Sequence, residues 1–452
     1  MASVKERTLT SVPMEPAAWA PGHPKSWGQE KAKIQLERGA STLAMSPDGK
    51  ILAVGISKNV HIYNVETHER VEVLKRHRKE VSAVRFAPRM VRNRYVLISE
   101  GEGIEGTEDS EESKDSEDSD DTDPRTIFQW ELAENGRLVA REKPVDVEAL
   151  TAKTLRPLQS QLTADHAWDP AERALDILHQ HVKSALRYAI NLHERDKFSI
   201  HGRLAPFGSP PFSPDGQTMI YLDQEASYIN LWDVESRSLQ HQLRGHTDAI
   251  AWVGMSPDST LVASIAWDGT ARIWNASSGV CLHVLALGGK LWGGAFSPDG
   301  RYLAISQEEP NPCIHIYDIG AQELVSCFTG FPTGILCLAW SPDGKLLAGE
   351  CLGSGLYLWD PSTGVERMYD YMRRTRTDVR EVQFADGGQK LIFQTREGTV
   401  EGYDVEKNLR QQFTRGAEKG MVKCPGADMV VSGDSRRLVV LDEDGVLRLW
   451  DL

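Results

Sequence analysis

Three residues with the makings of a hydrolytic relay fall close together in "GHTDAIAWVGMSPDSTLVASIAWDGTARIW": His246, Ser264 and Asp268. A serine nucleophile, an imidazole base and an orienting carboxylate are what acyl transfer requires, provided the chain folds them into hydrogen-bond reach. A second set, His179, His181, His193 and His201, raises metal ligation. Its spacing argues against that chemistry, because helical residues two apart face different ways and no His-Glu-x-x-His pattern is present. The six cysteines (Cys281, Cys313, Cys327, Cys337, Cys351, Cys424) stand singly with no Cys-x-x-Cys, so free thiols are expected rather than disulfides or structural zinc. No phosphate-cradling Gly-x-x-x-x-Gly-Lys-Ser/Thr loop and no Gly-x-Ser-x-Gly elbow occurs. No catalytic residue, metal or cofactor is therefore assigned, and a small-molecule ligand is not expected.

The elements that position these residues repeat along the chain. "AMSPDGKILAV" at Ala44, "PFSPDGQTMIY" at Pro211, "GMSPDSTLVAS" at Gly254, "AFSPDGRYLAI" at Ala295 and "AWSPDGKLLAG" at Ala339 share one pattern. Weaker copies follow in "QFADGGQKLIF" and "VVSGDSRRLVV". Each reads as a strand, a tight Pro-Asp-Gly turn, a second strand, another turn, and a third strand closing on an aromatic residue. The closing positions are Tyr63, Trp130, Trp232, Trp274, Tyr317, Trp359, Tyr403 and Trp450, with later spacings of 42, 43, 42, 44 and 47. One such four-stranded sheet cannot bury both its faces, and stacking the sheets around an axis solves the problem.

On these motifs the sequence resembles the WD-repeat β-propeller family, from about Lys33 to Leu452. The fold class expected is all-β, with eight blades predicted and seven as the alternative. By resemblance, His246, Ser264, Asp268 and Trp274 form the family's structural tetrad, which accounts for the Ser-His-Asp set without hydrolysis. Residues 1–32 form an N-terminal arm, partly disordered, and residues 33–452 the propeller. The segment "AKIQLERG" is placed to latch the last blade.

Two insertions interrupt the period. Trp130 follows Tyr63 by 67 residues, and the excess is an acidic loop at 101–124 within blade 2. Residues 102–123 hold twelve acids and one lysine, −11 of the net −14, which leaves only −3 for the rest of the chain. A long hairpin loop leaves strand pairing intact because closure entropy grows slowly with length, so a disordered excursion is predicted. Thr107, Ser110, Ser113, Ser116, Ser119 and Thr122 recur every third position beside acids, as candidate acceptors for an acidophilic kinase. The second insertion, 145–200 between blades 2 and 3, contains a predicted helix with Asp169 as N-cap, Pro170 at its first position and Glu172 completing a capping box. Leu175, Leu178, Val182, Leu186 and Ile190 line one face of it.

The near-neutral remainder gives no basic field for nucleic acid, and no apolar run reaches a membrane span. The protein reads as soluble, cytoplasmic or nuclear. In the family the residue before the turn aspartate commonly faces the binding rim, which picks out Trp267 and, by position, Glu225, Arg396 and Glu443, with Trp292 on the same surface. The resemblance implies a non-catalytic scaffold or adaptor holding other proteins. Alternatives are recognition of basic peptides or ribonucleoprotein within a larger complex, and an enzyme using the central channel. The Trp-Asp-x-Arg mark of cullin-ligase receptors and the Phe-Arg-Arg-Gly of phosphoinositide-binding propellers are both missing.

Overall fold

A computed structural model describes residues 5–11, 17–22, 30–36, 39–102, 125–139, 180–184, 199–206, 208–351, 355–367, 379–395, 399–414, 428–441 and 445–452. Met1–Arg137 together with His201–Leu452 make one compact unit, and Leu138–Ile200 a second. Of the second, the helix predicted from Asp169 is described only as one turn at residues 180–184. The rest of that helix lies outside the described residues, as do the acidic loop from residue 103 to 124 and the six candidate acceptors on it.

The first unit is an eight-bladed β-propeller, the larger of the two blade numbers the sequence allows. Blade 4 shows the plan: Ile250–Met255, Leu261–Ala266, Thr270–Asn275 and Cys281–Ala286 pair in that order, each antiparallel to the last. Blade 3 is thinner, three strands from Thr218–Leu222 to Ser238–Leu243, with single bridges from Arg203 and Phe212 on its inner side. The core is a set of layers between blades. Leu43, Tyr63, Val439 and Leu447 pack between blades 1 and 8. Ile51, Leu97, Phe128 and Trp130 fill the space between blades 1 and 2, and Ile220, Val253, Val262 and Trp274 that between blades 3 and 4. Burying both faces of each sheet in this way supplies the main stabilisation, at about 25 cal/mol per Å² of apolar surface.

The repeated Ser-Pro-Asp-Gly turn has a specific function in this packing. In blade 5, Ser297 Oγ donates to Asp299 Oδ1 at 2.5 Å and accepts from Tyr302 N at 2.8 Å, so one buried hydroxyl closes the turn and starts the next strand. The same pair of bonds recurs at Ser46, Ser213, Ser256, Ser341 and Ser432. Glycine follows because the backbone there is left-handed, φ +72° at Gly300; blade 4 puts Ser259 into the same region at +61°.

The chain closes where the sequence places the latch. Ala32–Gln35 pairs antiparallel with Val446–Asp451 as the fourth strand of blade 8. Before it, the arm does something the sequence did not announce. Lys5–Thr8 runs parallel to Glu323–Thr329 on the outer edge of blade 5, Thr10–Ser11 along Val365–Glu366 on blade 6, and Ala18–Trp19 along Leu409–Thr414 on blade 7. The arm thereby gives three consecutive blades a fifth strand and covers edges that would otherwise present unpaired backbone groups. Trp19 is held against the guanidinium of Arg410, 4.2 Å from the ring centre, and Arg410 is ion-paired with buried Glu401 at 2.7 Å.

Candidate functional site

The Ser-His-Asp set does converge, and its surroundings show what it is for. His246 Nδ1 lies 2.9 Å from Asp268 Oδ2 and Nε2 lies 2.7 Å from Ser264 Oγ, which also accepts the Trp274 indole N–H at 2.9 Å. Asp268 accepts further bonds from Thr247 N, Thr270 N and Thr270 Oγ1. Burial works against its charge, but these donors outweigh it and hold the carboxyl below its ordinary range. An ionised Asp268 fixes the proton on His246 Nδ1, so Ser264 donates to Nε2. Desolvation keeps His246 below its ordinary pKa despite the adjacent acid, and the ring is neutral. Ser264 has 0% exposure and sits behind Trp274, so its hydroxyl faces a tryptophan and no substrate space. The relay ties the loop before the first strand of blade 4 to its second and third strands.

A second relay escaped the sequence reading. His77 Nε2 lies 2.7 Å from Ser99 Oγ, which accepts Trp130 Nε1–H at 2.8 Å, so blade 2 repeats three of the four members. The usual glycine before the histidine is Arg76 here, and the acidic loop separates Ser99 from Trp130. His77 Nδ1 is buried with no partner among the described residues, and burial alone pushes the ring down to about 4. In blade 6, Trp359 is fully buried against Phe328 and Phe331 and its indole N–H has no acceptor among the described residues, because Gly349 stands where blades 2 and 4 carry serine. Apolar packing substitutes for the relay there.

The rim residues sort differently. Trp267 and Trp292, from blades 4 and 5, come together with ring centres 5.2 Å apart and planes at 60°. Lys290 Nζ lies 5.3 Å from the centre of the Trp267 ring, and Trp292 Nε1–H donates to Glu308 Oε2 at 2.7 Å. Trp267 is half-buried because its neighbour's tryptophan covers it, and its own indole N–H has no partner among the described residues. Glu225 is exposed in the connector of blade 3, which is one residue longer than that of blade 4, so Gln224 and not Glu225 follows Trp267 in register from the second strand. Arg396 and Glu443 lie outside the described residues.

Near the axis, a cavity of about 440 Å³ is lined by Thr42, Ser82, Arg85, Glu350, Gln383 and Asp428. Asp428 accepts Leu43 N at 2.9 Å and Thr42 Oγ1 at 3.1 Å, and Gln383 accepts Val431 N at 3.1 Å. These two side chains are engaged in joining inner strands of neighbouring blades. A larger flank cavity of about 800 Å³ lies between the arm and blades 5 and 6, beside Arg7, Tyr302, Trp340 and Ser362.

The cysteines expected to stand apart do not all do so. Hairpin register in blade 5 sets His315 opposite Cys327, with Cys313 two residues along the same strand. Their ligand atoms all fall within 4.8 Å of one another. The shared hydrogen bond holds the Cys327 thiol down to about 5 and pushes Cys313 up.

Stacked sheets closed by a strand from the far end of the chain, with buried His-Ser-Trp relays inside them, define an all-β propeller whose repeats are built from WD units. Two of these repeats match the family described as WD domain, G-beta repeat, at residues 237–275 and 322–360, which supports a WD-repeat family for this chain. It is 26% identical over 199 residues to the target of rapamycin complex subunit wat1 of Schizosaccharomyces pombe, covering 42% of this chain and 59% of that one. Over 141 residues it is 28% identical to the small ribosomal subunit protein RACK1y of Oryza sativa subsp. japonica, covering 30% of this chain and 41% of that one. These matches span well under two thirds of the relatives' own lengths. The crystal structure of the computationally designed Ika8 protein is similar in fold over 94% of this chain and 100% of that one, with a TM-score of 0.57 at 14% identity.

Proposed function

We propose that this protein is a non-catalytic scaffold that docks protein partners on the face carrying the Trp267–Trp292 pair. The observation that carries the reading is the pair itself: two large aromatic rings from adjacent blades, packed on each other and flanked by Lys290 and Glu308. Rigid aromatic anchors with a charged rim are what protein-binding hot spots are made of. Relatives whose names place them in a target of rapamycin complex and in a small ribosomal subunit, wat1 and RACK1y, support assembly rather than catalysis.

The acidic loop belongs to the same reading. It joins the second and third strands of blade 2, the connector type that carries Trp267 in blade 4 and Glu308 in blade 5, and equivalent connectors emerge on one face of a propeller. A charge of −11 there favours a partner with a basic segment, and phosphorylation of Ser110, Ser113, Ser116 and their neighbours would strengthen it. Affinity purification with quantitative mass spectrometry, comparing the full chain, W267A/W292A and a deletion of residues 102–123, tests this. Stoichiometric partners lost from the double variant are expected, with basic ones also lost or made salt-sensitive by the deletion. An unchanged partner set in the double variant contradicts the reading.

A further inference from the structure

Blade 5 gathers two thiols and an imidazole on one sheet face, and each is placed by strand geometry. Cys313 and His315 are two apart on Cys313–Asp318, so their side chains emerge on the same side. The antiparallel register puts Cys327 of Glu323–Thr329 directly across from His315, on that side again. Among the described residues this is the group whose three donor atoms lie within 4.8 Å of one another. A tetrahedral zinc, with Zn–S of about 2.3 Å and Zn–N of about 2.0 Å, needs its donors roughly 3.5–3.8 Å apart.

The state of the imidazole is set by a glutamine. Gln307 Nε2 donates to Glu309 O at 2.5 Å, which turns its carbonyl Oε1 toward His315 Nε2 at 2.7 Å. An acceptor there demands the proton on Nε2, and Nδ1 is then a bare lone pair. That nitrogen is buried and has no hydrogen-bond partner among the described residues. A histidine oriented through one nitrogen by a fixed carbonyl, with the other nitrogen unsatisfied among the described residues, is the arrangement that outer-shell partners impose on metal-binding histidines.

We propose that Cys313, His315 and Cys327 form a site for a single borderline-soft divalent cation, zinc above all. The donor set selects the metal: two thiolates and an imidazole suit Zn²⁺ and exclude the oxygen-seeking Mg²⁺ and Ca²⁺. Binding displaces the thiol protons to solvent as both sulfurs become thiolates. Glu6 of the arm is aligned with Cys327 in the parallel pairing of Lys5–Thr8 with Glu323–Thr329 and adds negative charge beside the two thiols. The site thus lies where the N-terminal arm meets the propeller, away from the tryptophan face.

The test uses the full-length chain, reduced and metal-free, titrated anaerobically with Co²⁺ alone. Saturation at about one equivalent is expected, with thiolate-to-cobalt charge transfer in the near ultraviolet, the visible bands of tetrahedral cobalt, and displacement by Zn²⁺. Cys327→Ser and His315→Gln, each checked for native circular dichroism, should weaken binding by about 100-fold or more, and Gln307→Leu by roughly 10–100-fold. Cys281→Ser, in blade 4, should leave it unchanged. No charge-transfer band in the reduced protein overturns the proposal, as does binding that survives in Cys327→Ser and His315→Gln alike. A Cys313–Cys327 disulfide in protein purified without reductant, followed by failure to take up Co²⁺ once reduced, overturns it in favour of a redox pair.

Discussion

At the scale of single residues, the buried relays determine how the blades respond to substitution and to pH. Ser264→Ala strips the acceptor from Trp274 Nε1 and the donor from His246 Nε2 inside a dry interior, so a loss of about 1–3 kcal/mol in unfolding free energy is expected, read from urea denaturation. His77 supplies a pH signature. Its folded pKa is depressed from 6.5 to about 4, so below about pH 6.5 the unfolded chain binds a proton that the folded chain refuses. Stability is therefore lost as pH falls through that window, by up to about 3 kcal/mol from this ring, and no further loss accrues below about 4. Comparing denaturation midpoints at pH 7 and pH 4.5, His77→Asn should show a smaller drop than the wild-type protein. The tetrad of blade 4 was legible because every member stands at its family position with "GH" and "WDGT" around it. Its counterpart in blade 2 was not, since hydrogen bonding asks only that His77, Ser99 and Trp130 meet in space, whatever intervenes in sequence.

At the scale of elements, the repeated turn was legible for a physical reason: its residues are chosen by local geometry. Ser297 bonds within its own turn, Asp299 accepts, and Gly300 takes the left-handed backbone, so the motif needs no distant partner. Ser297→Ala leaves Tyr302 N without its acceptor and should cost about 1–2 kcal/mol, measured by thermal or chemical denaturation. The arm is the opposite case. Lys5–Thr8, Thr10–Ser11 and Ala18–Trp19 are too short to hold a strand alone and exist only against the edges of blades 5, 6 and 7. Nothing local marks them, and from the sequence residues 1–32 were expected only as a partly disordered arm. Removing residues 1–22 should lower stability by about 3 kcal/mol through lost backbone bonds and the Trp19–Arg410 contact, and the bared edges should raise light scattering on heating. The cysteine cluster was missed for a related reason. Counting Cys313 and Cys327 along the chain gives two isolated thiols, and only hairpin register shows that one faces the other's strand neighbour.

At the scale of the whole molecule, closure and the proposed docking surface fall on different parts of the same ring. The latch of Ala32–Gln35 on blade 8 and the bonds from Asp428 to blade 1 join the ends, so the axis-facing polar groups serve architecture. The Trp267–Trp292 pair joins blades 4 and 5 instead. It sits where two blades meet, on the face from which the acidic connector of blade 2 also emerges. Individual tryptophans were legible as rim residues, but their pairing depended on the offset between neighbouring blades, which repeat counting does not fix. The most direct test is hydrogen–deuterium exchange on the protein alone and bound to a partner recovered with it. The expected result is protection concentrated in residues 267–269, 288–292 and 308–312, with the flanks unchanged. Protection confined to the outer edges of the blades, with those three segments exchanging as in the free protein, would contradict the assignment of this face as the docking surface.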